Sequence, residues 1–280
     1  MKSEPEVIIT PPPKVPSFDL KELWRYRELF AALTWRDIAV RYKQAALGCA
    51  WAIIQPLMVM LVFTFVFNKL GGIQSGDGTP YPIFLYTGLL VWQYFANTFT
   101  NAANSVVSNA GLIQKVYFPR LIIPTSSAAG ALIDLFIASL VLAGMMVYYK
   151  LTPKALSIAL IPLLILAAVL VSLGFGLLAA AVNVKYRDVK HAVPFIIQVM
   201  MFVTPVMYPV SMLDSHPTAK TLMIWLNPIS GIISNMRAVV LGKSPISWDI
   251  LCISIFMSVV FFALGLFYFR KAERYFADLV

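Results

Sequence analysis

Six apolar stretches, at about 47–68, 82–101, 124–149, 155–183, 192–210 and 248–269, dominate this 280-residue chain. A helix needs roughly 20 apolar residues to cross a bilayer, and each stretch approaches or exceeds that length. The chain is 60% apolar and 12% charged, whereas soluble domains sit near half apolar and about a quarter charged. Six spans would use about 120 residues and leave only ends and loops, so no large second catalytic domain is expected. Eighteen prolines against 14 glycines indicate interrupted helices, because so apolar a chain cannot stay disordered. The pattern predicts an all-α integral membrane protein with six transmembrane helices.

Charge placement orients those helices. With the N-terminus in the cytoplasm, the far side receives only Lys69, Lys150, Lys154, Lys220, Arg237 and Lys243 of the 22 Lys and Arg residues. The other sixteen fall on the cytoplasmic side. The positive-inside rule therefore predicts that both termini are cytoplasmic. This also accounts for the net charge of +9, and no nucleic-acid partner is expected.

Residues 1–17 read as a flexible Pro-rich cytoplasmic tail, with no apolar core of a cleavable signal. Residues 18–280 form the membrane domain. Between tail and first span, Phe18–Lys43 reads as an amphipathic helix lying in the membrane interface. Leu20, Trp24, Ala31, Trp35, Ile38 and Tyr42 share one narrow arc, while Arg36 lies on a polar side. Asp19 and Glu22 have the spacing of a capping box. Arg27 and Arg41 intrude on the apolar side and would have to snorkel.

Catalytic chemistry is sparse. Cys49 and Cys252 stand alone, and His191 and His216 have no second ligand in reach. No metal site is expected. Gly242-Lys243-Ser244 ends like a phosphate-binding loop, but Arg237 occupies the place of its first glycine and Pro245 follows where a helix should begin. Asp134 is the acidic residue deepest in a span. It reads as a buried structural hydrogen-bonding group rather than a proton carrier, since no relay partner lies in a span.

The second span carries a polar stripe. Tyr86, Gln93, Asn97, Asn101, Asn104 and Ser108 fall within an arc of about 80° at 3.6 residues per turn. Such groups must meet a hydrated pathway, sugar hydroxyls or a neighbouring helix. Trp92 and Phe95, with Phe99, and from the first span Trp51, Gln55, Phe63 and Phe67, are read as aromatic and amide companions lining a sugar path. Helix–helix adhesion is the competing reading.

Two loops are unusual. Lys115-Val116-Tyr117-Phe118-Pro119-Arg120 is cytoplasmic, too short to span and too apolar to be free, so a partner is expected to cover it. Between spans five and six, Trp225, Asn227, Pro228 and Gly231 precede an apolar run to Leu241 that contains Arg237. Two extracytoplasmic re-entrant helices, broken at Pro228 and Gly231, suit it better than one span; two full spans are the alternative.

From Leu29 onward the chain resembles the permease subunits of ABC-2 type polysaccharide exporters. The resemblance rests on Trp35-Arg36-Asp37-Ile38-Ala39-Val40-Arg41-Tyr42-Lys43, Leu47-Gly48-Cys49-Ala50-Trp51-Ala52 with Gln55-Pro56-Leu57, and Lys115–Arg120. Asn183-Val184-Lys185-Tyr186-Arg187-Asp188-Val189, Asn227-Pro228 and Phe276-Ala277-Asp278 follow in order. It implies a homodimeric permease in the cytoplasmic (inner) membrane of a bacterium, among membrane lipids, exporting a lipid-linked polysaccharide such as O-antigen. Teichoic acid or capsule export is the alternative within the family, and an ion-coupled carrier using Asp134 or a glycan-synthesis enzyme the alternative outside it. It further implies two copies of a separate ATPase that binds ATP and Mg, with no cofactor or catalytic residue in this chain. Lys115–Arg120 would be the coupling helix on that ATPase, residues 18–43 an interface or gate helix, and 217–241 a region re-entering from outside.

Overall fold

The computed structural model describes residues 20–43, 50–153, 155–186 and 188–276. The tail, the Asp19 cap, Leu47 to Cys49, Arg187 and the closing Ala277-Asp278 lie outside them. The regular structure of the described residues is all helix. In order it runs α1 (Leu20–Arg25), α2 (Arg27–Lys43), α3 (Trp51–Phe63), α4 (Tyr81–Ser108), α5 (Ala110–Lys115), α6 (Ile122–Tyr148), α7 (Ala155–Ile158), α8 (Ile161–Lys185), α9 (Val189–Val203), α10 (Pro217–Leu226), α11 (Pro228–Leu241) and α12 (Trp248–Ala272).

Four of these are long and apolar enough to cross a membrane: α3 with its wider-wound continuation to Leu70, α6, α8 and α12. The protein is thus a multi-pass membrane protein. The predicted second span is longer than its apolar stretch. α4 has 28 residues, about 42 Å at a rise of ~1.5 Å per residue, yet its amides lower its hydropathy. It tolerates them because α3, α6, α8, α9 and α11 pack around it, leaving little of it to lipid. The predicted fifth span is cut short. α9 has 15 residues, about 22 Å, and ends at Thr204, whose extended backbone leads into Pro205 and Pro209. The predicted fourth span likewise starts late, at Ile161, after a separate turn at α7.

α8 and α12 form the closest helix pair. A methyl on Gly174 would sit 2.6 Å from the Phe261 carbonyl carbon, and one on Gly265 would collide with the Gly174 carbonyl oxygen. Small residues let two backbones touch where hydrophobic driving force between helices is absent. α10 and α11 meet at a 99° bend. The bend is at Asn227-Pro228 alone; Gly231 lies within α11, where any side chain would strike Ser254 and Ile250 of α12. All of α11 is buried except half-buried Ser234, whereas α10 shows Leu222, Trp225 and Leu226 on the surface. Gly242 ends α11 in the left-handed conformation (φ 67°), so Gly-Lys-Ser here is a helix stop. Beyond it the Ser244 hydroxyl donates to Asp77 Oδ2 at 2.7 Å. Burial works against the Asp77 charge, but bonds from Ser244 and from the Thr79 backbone N–H (3.0 Å) hold its carboxyl below the usual value.

Two apolar clusters stack along the bundle. One surrounds most of α4. The other lies at the end of α4 near α5 and joins Leu33, Val106, Ile113, Phe118, Ile122, Leu177, Val184, Phe269 and Phe276.

Candidate functional site

A cavity of about 370 Å³ with mixed polar and apolar walls lies between α2, α3, α4 and α6, its apolar part including Pro56, Leu90 and Leu135. Arg41, Tyr42, Trp51, Gln55, Gln93, Tyr94, Asn97, Asn101 and Asp134 line it. A second, of about 420 Å³, continues toward α5 between Arg36, Asp37, Asn104, Ser108 and Asn109. Arg41 and Asn101 border both, so the two form one polar track down α4.

The stripe on α4 divides by use. Tyr86 is fully buried, and its hydroxyl donates to the Ala138 carbonyl at 3.1 Å. The Asn104 amide donates to Thr100 O at 2.9 Å, and its oxygen accepts from Asn183 at 3.3 Å. Asn183 also donates to Ala103 O at 3.0 Å. These groups hold helices together. Gln93, Asn97 and Asn101 make no side-chain hydrogen bond to any described residue and face the cavity.

The aromatic companions are mostly elsewhere. Trp51 and Gln55 line the cavity. Trp92 and Phe95 are buried on the opposite side of α4, where Phe95 and Phe99 meet Phe175 of α8 at 5.9 and 5.7 Å. Their positions lie about 150° around the helix from the amides, so they pack the core instead of lining a path. Phe63 and Phe67 of the first span meet each other edge-on at 5.5 Å, away from the cavity lining. Tyr86 is likewise core.

Charge at the cavity is paired. Arg41 and the Tyr42 hydroxyl both donate to the Asp134 carboxylate. Arg41 therefore does not snorkel, and Asp134 is not a lone intramembrane acid. Arg36 binds Asp37 and donates to Asn109 Oδ1 at 2.8 Å. α1 and α2 dock through Leu23, Tyr26, Leu29, Phe30 and Leu33, and of the predicted arc Ile38 and Tyr42 also reach α6. Trp24 and Trp35 point outward, 72% and 71% exposed.

Arg237 is the buried cation of α11. It donates to the carbonyls of Phe84 (3.0 Å), Pro205 (2.8 Å) and Val206 (2.5 Å), with the Phe84 ring 3.6 Å from its guanidinium carbon. Asn227 donates to Thr204 Oγ1 at 2.7 Å, and Tyr81 to Met207 O at 2.7 Å. Arg237 and Tyr81 thereby satisfy carbonyls where α9 ends, which would otherwise be left unpaired in the interior. Sequence reading placed Arg237 in the bent region without this role; a lone Arg among apolar residues, with two prolines freeing carbonyls upstream, was the available signal. Pro228 is buried, and Trp225 is partly exposed on α10.

Lys115–Arg120 is not itself a helix. Helix α5 ends at Lys115, and Val116 is extended. Lys115, Val116 and Tyr117 face outward, Tyr117 at 82% exposure. Phe118 and Pro119 are buried, and Arg120 bonds the Glu273 carbonyl, with its backbone N–H on Glu273 Oε1 at 3.1 Å. One half presents a surface and the other fastens it to α12.

A family profile described as ABC-2 type transporter matches residues 28–241. The chain is similar to an O-antigen export system permease protein RfbA of Klebsiella pneumoniae, 28% identical over 90% of this chain and 95% of that protein. A protein of the same name from Myxococcus xanthus is 28% identical over 79% of this chain and 83% of its own. The polysialic acid transport protein KpsM of Escherichia coli is 24% identical over 87% and 93%.

The ion pair gives a direct test. Asp134→Leu or Arg41→Met alone should each lower stability by ~2 kcal/mol. That is less than the roughly 3–5 kcal/mol of a fully buried pair, because Arg41 keeps 35% of its side chain exposed. The double variant Arg41→Met/Asp134→Leu should recover most of the loss, read as detergent-solubilised melting temperature. Additive losses would contradict the pairing.

Proposed function

Because the chain belongs to the ABC-2 type transporter family, we propose that it is the permease half of an ATP-driven exporter of a cell-surface polysaccharide. O-antigen or a similar lipid-linked glycan is the substrate this reading favours. The observation that carries it is the track along α4. Gln93, Asn97 and Asn101 offer donors and acceptors unused by the protein, beside Trp51 and with neighbouring charge neutralised. Uncharged hydrogen-bonding walls suit sugar hydroxyls, and they suit an ion less well. The relatives' names, O-antigen export and polysialic acid transport, support the same substrate class.

In this reading the chain works as a homodimer in the cytoplasmic membrane, with α3, α4, α6, α8, α9 and α12 as its six spans. α10 and α11 re-enter from the far side, and both termini are cytoplasmic. Two copies of a separate ATPase bind ATP and Mg and dock on Lys115, Val116 and Tyr117. Closure of the ATPase pair biases the spans between two arrangements. Phe118 and Arg120 carry that push into α6 and α12. The chain supplies pathway and coupling and does no chemistry on the glycan.

Two results are expected. Replacing Gln93, Asn97 and Asn101 together by Leu should abolish most glycan export while leaving melting temperature nearly unchanged, since no described helix contact uses these amides. A marked loss of stability, with normal export per surviving molecule, would make them adhesive instead. For coupling, Tyr117→Ala should uncouple ATP hydrolysis from export in a permease present at normal level. Phe118→Ala should reduce the level itself, by ~3–5 kcal/mol of stability for a buried Phe. Quantitative immunoblots with an export assay separate the two; normal export by Tyr117→Ala would remove Tyr117 from the coupling surface.

A further inference from the structure

Above the polar track, a third cavity of about 430 Å³ lies between α4, α6, α8 and α11. Its walls are almost wholly apolar, including Leu132, Phe136, Leu142, Met146, Ile161 and Ile165. Phe136, 65% exposed, and Ala143 stand at its outer side, where a membrane protein meets lipid. This cavity and the amide-lined one are neighbours: Leu90, Tyr94 and Leu135 border both. At that wall Tyr94 is 2% exposed, and neither its hydroxyl nor that of Thr98, one turn along, makes a hydrogen bond of good geometry. The Tyr94 hydroxyl faces that of Thr98 there, so its polar tip stands at the junction of polar and apolar space.

We propose that these two cavities form one amphiphile site, holding the hydrocarbon tail of the exported glycan's lipid carrier between α4, α6, α8 and α11 and its sugar-bearing head against the α4 amides. The inference rests on the export reading above and names where the lipid lies. Polar groups fill the α5 end of α4 and apolar walls the other end. With the termini cytoplasmic, the head therefore faces the cytoplasm and the tail points outward, which is the orientation of a lipid arriving from the cytoplasmic leaflet. Tyr94 sits at the head–tail boundary, where an amphipathic side chain with a polar tip belongs, and its hydroxyl finds its acceptor on the lipid's linking oxygen. Because the Arg41 charge is met by Asp134, the head site selects hydroxyls rather than a bare anion.

The test uses the full-length protein in membranes and an isoprenyl-phosphate monosaccharide carrying a diazirine in its tail. Photolysis should label peptides from Leu132–Met146 and Ile161–Ala168. Unlabelled sugar lipid should compete, and excess phosphatidylglycerol should not. Ala143→Trp fills the cavity from its exposed mouth, where no core packing is disturbed, and should cut labelling about tenfold. Ser139→Trp, also on the lining, repeats the test if the first variant is poorly produced. Labelling elsewhere, labelling unchanged in both variants, or equal competition by phosphatidylglycerol (the cavity then holding ordinary bilayer lipid) overturns the proposal. Labelling needs no transport, so its failure leaves the export reading intact, and failure of that reading shows in the amide variants instead.

Discussion

Hydrocarbon offers no hydrogen bonds, so a polar group carried into the membrane must find its partner within the protein. The arrangement of this bundle follows from that constraint applied to α4. A helix with a row of carboxamides cannot face lipid, and α4 is wrapped by α3, α6, α8, α9 and α11. The wrapping decides which helices may be plain apolar spans and which must be broken. α11 completes the sheath only by lying inside the protein after a 99° bend, and α9 ends before Pro205. The carbonyls that this ending frees are then taken up by Arg237.

The same constraint distinguishes structural polar groups from available ones. Tyr86, Asn104 and Asn183 have partners within the chain, and so do Arg41 and Asp134. An interhelical hydrogen bond in a membrane averages about 0.6 kcal/mol, so the Tyr86, Asn104 and Asn183 contacts set geometry more than stability, and the ion pair contributes more. The unbonded carboxamides of α4, Gln93, Asn97 and Asn101, stand together on the cavity wall.

Several of these features could be read from the sequence, and the failures have physical causes. Apolar length located α3, α6, α8 and α12 well, because each carries a long apolar run, α8 even though much of it is buried inside the bundle. It misjudged α4, which is not lipid-facing, and α9, where Pro205 and Pro209 interrupt an apolar run that continues past the helix. The polar stripe was visible as periodicity, but the same wheel already sets Trp92 and Phe95 on the opposite face. Grouping them with the amides by sequence proximity was the error. Arg41 and Asp134 each looked anomalous alone; a pairing across 93 positions has no local signature. Tyr117 and Phe118 are equally apolar neighbours in an extended segment, and only the fold shows that one faces out while the other packs against Phe269 and Phe276.

The central claim is that the α4 amides touch the glycan in transit. A photo-reactive residue in place of Asn97, activated in cells that are exporting, tests it most directly, with the exposed α12 position Val259 as control. The account predicts that the protein becomes covalently joined to glycan through position 97 and not through 259. Absence of glycan at 97, or equal capture at both positions, would contradict it.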